Sequence, residues 1–161
     1  MNIDNMLQEK KFYKSKPRNL EGADTKIKDV CIDRILEDLD EIKQTTLMIK
    51  NVPIKFHQQT LLDIVNKKFE GRFNYFYLPK DMRTQKGVGF AFINLIHPAY
   101  IIEFFLEFHC IKWSEYIQNC NSTKYCEISY SNVQGIEEIK AELEDKYAMK
   151  KEEGQPIFND N

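Results

Sequence analysis

Apolar residues alternate with polar ones along four short stretches of the chain, and between these stretches their spacing changes to three or four. Alternation is typical of strands that bury one face, and the wider spacing is typical of amphipathic helices. Strands are predicted at residues 46–52, 73–78, 87–95 and 125–130, and helices at 58–69 and 98–108. The order strand, helix, strand, strand, helix, strand predicts an α+β sandwich with a four-stranded antiparallel sheet and two helices on one face.

The third predicted strand carries two aromatic residues on one face. Phe90 and Phe92 lie two positions apart, and the residues that alternate with them turn largely to the core. Exposed rings on a sheet bind nucleic-acid bases by stacking, which contributes about 1–3 kcal/mol per base. The stretch resembles the RNP1 signature of the RNA-recognition motif (RRM), with Val88 in place of its basic first residue and Leu95 in place of its last aromatic one. The alternative is a buried, Phe-rich strand that binds nothing.

The first predicted strand resembles the RNP2 signature of the same motif. The positions that match are Leu47, Ile49, Asn51 and Val52. Met48 stands where a stacking aromatic residue usually lies, and alternation places Met48 and Lys50 on the same face as Phe90 and Phe92 if the strands are neighbours. Asn51 is expected at the strand edge, where it holds backbone geometry. Together the two signatures predict the ferredoxin-like βαββαβ fold of an RRM.

Other side chains are expected to extend this face. In the second strand Tyr75 and Tyr77 would lie on the open sheet, unless they pack under a later helix. Arg83 and Lys86 belong to a basic loop before the third strand and are placed to meet phosphates. The predicted RNA-binding residues are Met48, Lys50, Tyr75, Tyr77, Arg83, Lys86, Phe90, Phe92 and Asn94.

The segments on either side of the predicted RRM domain, residues 44–131, differ from it in pattern. Residues 1–23 read as a disordered polar tail, 24–43 as an amphipathic helix, 132–149 as a C-terminal helix and 150–161 as a flexible tail. Within the last segment, residues 156–158 are apolar enough to return to the domain. Ser131 and Gln134 have capping-box spacing at the start of the C-terminal helix. A helix at this place can lie across an RRM sheet and occlude it.

Charge is distributed unevenly along the chain. The net charge is −2, but residues 43–131 carry 11 basic and 7 acidic side chains, a net +4, and both flanks are acidic. A basic domain between acidic flanks favours a moderate, salt-sensitive affinity for nucleic acid with few phosphate contacts.

The spacing of the cysteines and the length of the apolar runs bear on metal binding, redox compartment and membrane association. Cys31, Cys110, Cys120 and Cys126 form no CxxC pair and read as free thiols in a reducing compartment. A zinc site that joins three of them to His109 would lack the usual close ligand pairs, so we expect no metal and no cofactor. No apolar run reaches the roughly 18 residues of a membrane span, and the first twenty residues are too polar for a signal peptide. We expect no membrane association and an intracellular protein of the nucleus, the cytoplasm or both.

Several blocks of sequence resemble a narrower family, the C-terminal RRM of the Mei-two-like meiosis regulators of fungi, plants and protists. The blocks are residues 45–53, 76–81, 88–96, 112–113, 129–135 and 156–158. That branch resembles this chain in having methionine at the position of Met48. The resemblance implies binding of single-stranded RNA in the control of meiosis or differentiation. The longer family members carry two further RRMs, whereas the residues before Thr45 resemble none.

Three classes of function compete on these residues. Retention of Phe90 and Phe92 favours a single-stranded RNA-binding module over an RRM that binds a protein partner through its sheet or its flanking helices. The weakened RNP signatures and the acidic flanks favour the protein-binding alternative. An enzyme has little support, because Gly87 and Gly89 lack the rest of a phosphate-binding fingerprint and no histidine has an evident nucleophile beside it.

Overall fold

A five-stranded antiparallel sheet in the order β4-β1-β3-β2-β5 organises the computed structural model, which describes residues 28–147 and 155–159. The strands are β1 (Thr46–Lys50), β2 (Phe73–Tyr77), β3 (Phe90–Leu95), β4 (Glu127–Tyr130) and β5 (Ile157–Phe158). The helices are α1 (Ile32–Glu37), α2 (Gln58–Phe69), α3 (Ala99–Phe108) and α4 (Ile136–Tyr147), with a 3-10 turn at Trp113–Glu115. The order β1-α2-β2-β3-α3-β4 confirms the predicted ferredoxin-like α+β fold.

The hydrophobic core lies between one face of the sheet and helices α2 and α3. The strands contribute the residues of one face to it, with a register irregularity between Phe73 and Tyr75 in β2, namely Leu47, Ile49, Phe73, Phe76, Ala91, Ile93, Leu95 and Ile128. From the helices, Phe69 meets Phe104 at a ring-centroid distance of 4.9 Å. Because successive side chains of a strand point to opposite faces, this core leaves the other side chains of β1, β3 and β4 on a second face.

Gly71 makes the reversal from α2 into β2. Its φ of 77° lies in the left-handed region, where residues with a Cβ atom are disfavoured. The backbone N–H of Arg72 then donates to the carbonyl of Phe69, which closes the turn. The strand therefore starts within four residues of the end of the helix, and α2 lies directly against the sheet.

The N-terminal helix is shorter than the predicted range 24–43. Within the described residues, α1 spans only Ile32–Glu37, and the residues before Lys28 lie outside the described part. The carbonyl of Lys28 accepts the N–H of Tyr130 at 2.7 Å, so the backbone here pairs with the edge of β4 and does not form a helical turn. After Glu37 the chain turns, and the N–H of Ile42 donates to the carbonyl of Asp38. At Lys28, pairing with the sheet edge takes the place of the helix that the apolar spacing predicted.

The C-terminal tail, predicted as flexible over 150–161, contains a strand. Ile157–Phe158 forms β5 and pairs antiparallel with β2 through Phe76↔Ile157 and Tyr75↔Phe158. An unpaired edge of β2 would expose a row of backbone groups, and β5 satisfies part of that row. Residues 148–154 and 160–161, like the predicted N-terminal tail 1–23, lie outside the described residues.

A chain of hydrogen bonds crosses the second face of the sheet from α4 to β5. The N–H of Gly135 donates to Oγ1 of Thr46 (2.9 Å), and that hydroxyl donates to Oδ1 of Asn94 (2.7 Å). Nδ2 of Asn94 donates to Oδ1 of Asn74 (2.7 Å), and the carbonyl of Asn74 accepts the N–H of Asn159 (3.0 Å). This polar chain therefore links both C-terminal elements to the three central strands.

We expect Asn94→Leu to lower the free energy of unfolding by at least about 2 kcal/mol. Leucine has a similar volume, but it leaves Oγ1 of Thr46 and Oδ1 of Asn74 without their partner, and an unsatisfied buried group costs about 1–3 kcal/mol. Urea denaturation followed by circular dichroism measures the change. Asn121→Leu, in an exposed loop, serves as the control and should shift stability by under about 0.5 kcal/mol. Equal stability of the two variants would show that the polar chain contributes nothing.

Candidate nucleic-acid interface

Strand register arranges the side chains of the second face in three rows across the sheet. Row 1 consists of Phe158, Tyr75, Asn94 and Thr46; row 2 of Tyr77, Phe92, Met48 and Ser129; row 3 of Phe90, Lys50 and Glu127. Row 1 lies nearest the start of β1, and row 3 lies nearest the loop that leads into β3. The rows differ in exposure, and that difference defines the candidate site.

The β1, β3 and β2 members of row 1 are covered by the C-terminal elements, whereas Phe158, itself part of β5, is 39% exposed. Thr46 is 1% exposed, and Tyr75 and Asn94 are each 4% exposed. The start of α4 is bound to Thr46 through Gly135, and one turn later Lys140 Nζ lies 5.8 Å from the ring centroid of Phe158. Ile139, between these two points, is buried although it is not part of the hydrophobic core cluster. We conclude that α4 crosses row 1.

Rows 2 and 3 carry a pair of half-buried phenylalanine rings. The ring centroids of Phe90 and Phe92 are 5.6 Å apart, and the ring planes are inclined at 72°. Met48 and Tyr77 flank Phe92 on the neighbouring strands, and both are half-buried. This aromatic platform, the side chains of Met48, Tyr77, Phe90 and Phe92, offers an apolar surface to a flat ligand.

Lys50 places a positive charge beside the platform. It is the β1 partner of Phe90, and its Nζ lies 3.4 Å from a carboxylate oxygen of Glu127 on β4. Both side chains remain partly exposed, and exposed ion pairs of this kind contribute only about 0–1 kcal/mol. Lys50 can therefore exchange its carboxylate partner for the phosphate of a ligand.

The loop between β2 and β3, residues 78–89 (the β2–β3 loop), adds Arg83 and Lys86. Both side chains are exposed at the end of the sheet where Phe90 begins β3. The carboxylate of Asp81 accepts the N–H groups of Thr84 (3.0 Å) and Arg83 (2.8 Å), and these bonds hold its pKa below the ordinary value. At neutral pH the carboxylate is ionised and accepts both hydrogen bonds. The stability that these two bonds give to the loop is lost as the pH falls through the lowered pKa of Asp81.

The structure brings together most of the residues predicted to bind RNA. Met48, Lys50, Tyr77, Phe90 and Phe92 share rows 2 and 3, and the two basic loop residues lie at their end. Asn51 lies at the end of β1 with a φ of 60°, and its side chain donates to the carbonyl of Tyr125, as expected for a residue that holds backbone geometry.

Two predicted residues, Tyr75 and Asn94, belong to the covered row. The ring of Tyr75 packs against Phe158 at 5.2 Å, and the amide of Asn94 is used within the polar chain. Their strand positions point them to the predicted face, but both side chains are buried there. The prediction that Tyr75 lies on an open sheet was therefore wrong, and the ring that packs on it belongs to the strand β5, whereas the alternative had named a later helix. Asn94, predicted as an RNA-binding residue, is likewise not on an open surface.

Gln134 is a residue whose role the sequence did not reveal. The predicted capping box does not form, because Oε1 of Gln134 accepts the N–H groups of Thr45 (3.0 Å) and Thr46 (2.9 Å). Its Nε2 donates to the carbonyls of Thr46 (2.9 Å) and Ser131 (2.8 Å). The spacing from Ser131 pointed to a role within the local turn, but three of the four hydrogen bonds reach Thr45 and Thr46, nearly ninety residues away in sequence.

The described residues contain no group of three or more His, Cys, Asp and Glu side chains placed to hold a metal ion. His109 accepts the N–H of Ile128 through Nδ1, and burial raises the pKa of the Cys126 thiol.

None of the described helices is long and apolar enough to span a membrane.

Comparison with known proteins identifies the family. The family model of RNA recognition motif 2 matches residues 44–144. Protein MEI2-like 1 of Arabidopsis thaliana is 37% identical over 80% of this chain and 13% of its own length, and Protein MEI2-like 5 of Oryza sativa subsp. japonica is 41% identical over 57% and 11%. A solved Sxl-lethal protein/RNA complex covers 58% of this chain and 50% of its own at 18% identity and a TM-score of 0.44.

The chain thus spans only a small part of its longer relatives, but the family match extends from the residues before β1 into α4. It covers the three rows except Phe158, the β2–β3 loop and the first part of the helix that crosses row 1. The chain belongs to the RNA recognition motif 2 family and is similar to the MEI2-like proteins, as the resemblance in its sequence blocks predicted.

Proposed function

We propose that this chain binds single-stranded RNA on rows 2 and 3 of its sheet. The observation that carries the proposal is the half-buried ring pair of Phe90 and Phe92. The ring planes are steeply inclined to each other, so one base stacks on each ring and the two bases are splayed apart. Bases in a duplex are already stacked on their neighbours, and only unpaired bases reach the sheet.

Met48 and Tyr77 complete the base contacts. Both flank Phe92, and the flexible thioether of Met48 adapts its shape to whichever base lies beside it. Tyr77 adds a third aromatic ring to the base contacts, together with a hydroxyl group that can form hydrogen bonds. These contacts are tolerant of base identity, because each base has a flat apolar surface.

Phosphates are met by Lys50, Arg83 and Lys86. Their charges lie beside row 3 and in the β2–β3 loop, so the RNA backbone runs along the Phe90 end of the sheet. Backbone contacts position the strand and add a salt-dependent, sequence-independent part of the affinity.

The biological role that we propose is post-transcriptional control in meiosis or differentiation, in the nucleus, the cytoplasm or both. It is supported by similarity to proteins named MEI2-like. The site acts by binding and not by catalysis, because the platform side chains of Met48, Tyr77, Phe90 and Phe92 offer surfaces for stacking and include no carboxylate, imidazole or thiol.

A second candidate is an RRM that binds a protein partner through α1 or α4. Leu36 on α1 is 55% exposed, and the exposed carboxylates of α4 would suit a basic partner. The experiments below separate the candidates, because this second one leaves the aromatic platform without a role in RNA binding.

We expect Phe90→Ala/Phe92→Ala to weaken binding of a pool of short random single-stranded RNAs at least about tenfold. The loss corresponds to about 1.4 kcal/mol, at the low end of what one stacked base contributes. Fluorescence anisotropy at low salt measures the affinity, and circular dichroism reports folding. Phe90→Leu/Phe92→Leu keeps apolar volume while it removes the ring faces, and should lose binding as well.

Tyr100→Leu is the matched control for this pair. Tyr100 lies on α3, where its ring contacts the guanidinium of Arg72. The Tyr100→Leu protein should therefore bind RNA with the affinity of the wild type. Unchanged affinity in the folded double variants would contradict the sheet as the RNA site and favour the protein-binding candidate.

We expect Arg83→Gln/Lys86→Gln to reduce the salt dependence of binding while the stacking contacts persist. Each phosphate contact to a single strand contributes roughly 0.7 to the slope of log K against log salt, so the loss of two contacts should make the slope shallower by roughly 1.4. Anisotropy titrations at four salt concentrations measure the slope. Lys67→Gln, an exposed lysine on α2, removes a charge from the helical layer and should change the slope little. An equal change in both variants would mean that the loop has no specific phosphate contacts.

A further inference from the structure

The C-terminal elements are fixed to the sheet at two separate places. At the start of β1, three hydrogen bonds between the Gln134 side chain and the backbone of Thr45 and Thr46, together with the bond from Gly135 to Thr46, hold the start of α4. At β2, the pairing of β5 and the bond from Asn159 to Asn74 hold the end of the described chain. The Nε2 of Gln58 also donates to the carbonyl of Gln155 at 3.0 Å. Removing these elements from row 1 would break all of these hydrogen bonds, each of which contributes about 0.5–1.5 kcal/mol net, and would expose the buried side chains of Thr46, Tyr75 and Asn94 to water.

Charge on α4 also opposes RNA at row 1. Between residues 136 and 144 the helix has four exposed carboxylates, at Glu137, Glu138, Glu142 and Glu144, and one lysine. A phosphate backbone that continued from row 2 over α4 would approach these carboxylates. At the opposite end, Arg83 and Lys86 attract the same backbone. The electrostatic gradient across the face therefore runs from row 1 to the β2–β3 loop.

We propose that α4 and β5 form a fixed wall at row 1, which limits the bound RNA to a short single-stranded tract on rows 2 and 3. This inference rests on the proposed RNA-binding function. Nucleotides that flank the stacked bases leave the domain over the β2–β3 loop and not along α4. The wall also removes Tyr75 and Asn94 from recognition, so the strand residues that read the tract are those of rows 2 and 3, with Met48, Tyr77, Phe90, Phe92 and Lys50 making the contacts.

The first test is the length of RNA that the full chain covers. Fluorescein-labelled random-sequence RNAs of two to ten nucleotides are titrated by anisotropy at one salt concentration. Two or three bases stack on a sheet of this kind, and phosphates at the loop add contacts, so affinity should rise to roughly four or five nucleotides and then level off. A steady rise to eight nucleotides or more would overturn the wall while leaving RNA binding itself intact.

The second test uses two tyrosines that lie two residues apart on β2. Tyr77→Leu should weaken binding of the five-nucleotide pool at least about threefold, whereas Tyr75→Leu should leave the affinity unchanged. Because Tyr75 is buried, thermal melting and a stoichiometric titration determine the folded, active fraction of each variant. A loss of affinity per active molecule in Tyr75→Leu would show that RNA displaces α4 from row 1.

The RNA-length titration and the two tyrosine variants together distinguish failure of the wall from failure of the proposed RNA binding. If the wild type binds no RNA of any length, the proposed function fails and the wall inference fails with it. If the wild type binds but Tyr75→Leu and Tyr77→Leu lose equally, only the wall fails. Levelling at four or five nucleotides together with selective loss in Tyr77→Leu supports both.

Discussion

The hydroxyl of Thr46 is the junction on which the second face of the sheet depends. It accepts the N–H of Gly135 and donates to Oδ1 of Asn94, so one buried atom joins α4 to the central strands. A buried polar chain is stable only when every member is satisfied, and here the carboxamide of Asn94 is bonded at both ends. The cost of breaking one link therefore falls on its neighbours as well. This coupling makes α4 part of the domain and not an appendage to it.

The division of the face into covered and open rows follows from this junction. Without α4, the alternation of β1 and β3 would give one continuous surface from Thr46 to Lys50. With α4 bound, Thr46 and Asn94 lie in its covered part, and the aromatic platform and the ion pair of Lys50 and Glu127 lie in its open part. The polar groups of the covered part are bonded within the protein, and the open part leaves the ring faces and the charge of Lys50 for the proposed ligand.

The alternation of apolar and polar residues predicted which face of its strand each side chain occupies. Period-two alternation placed Phe90, Phe92, Met48 and Lys50 on one face, and the strand register confirms that they are cross-strand neighbours. The same pattern pointed Tyr75 to that face correctly, but its burial depends on Phe158, more than eighty residues later. Whether a residue on an open face is covered is a property of tertiary packing, which alternation does not encode.

The shortened α1 and the added β5 have a similar explanation. In both places a backbone segment pairs with a strand edge, through Lys28 at β4 and through Ile157–Phe158 at β2. The apolar periodicity of residues 24–43 is real, since Ile35 is buried, but periodicity does not include the gain from satisfying an exposed edge. The edges of a sheet are known only after its strand order is known. The apolar residues 156–158 suggested a return to the domain, but the residues of neither segment identify the strand with which it pairs.

Gly89 shows how the backbone ties the charged loop to the platform. Its φ of 94° is one that residues with a Cβ atom rarely adopt, and its carbonyl accepts the N–H of Val52 at 2.9 Å. Two residues earlier, the N–H of Gly87 donates to the carbonyl of Ile54. The segment that follows β1 therefore holds the returning arm of the β2–β3 loop immediately before Phe90. Because this arm is fixed, the cations of the loop stay at the end of the sheet where the rings are open, and stacking and charge act on the same stretch of a ligand.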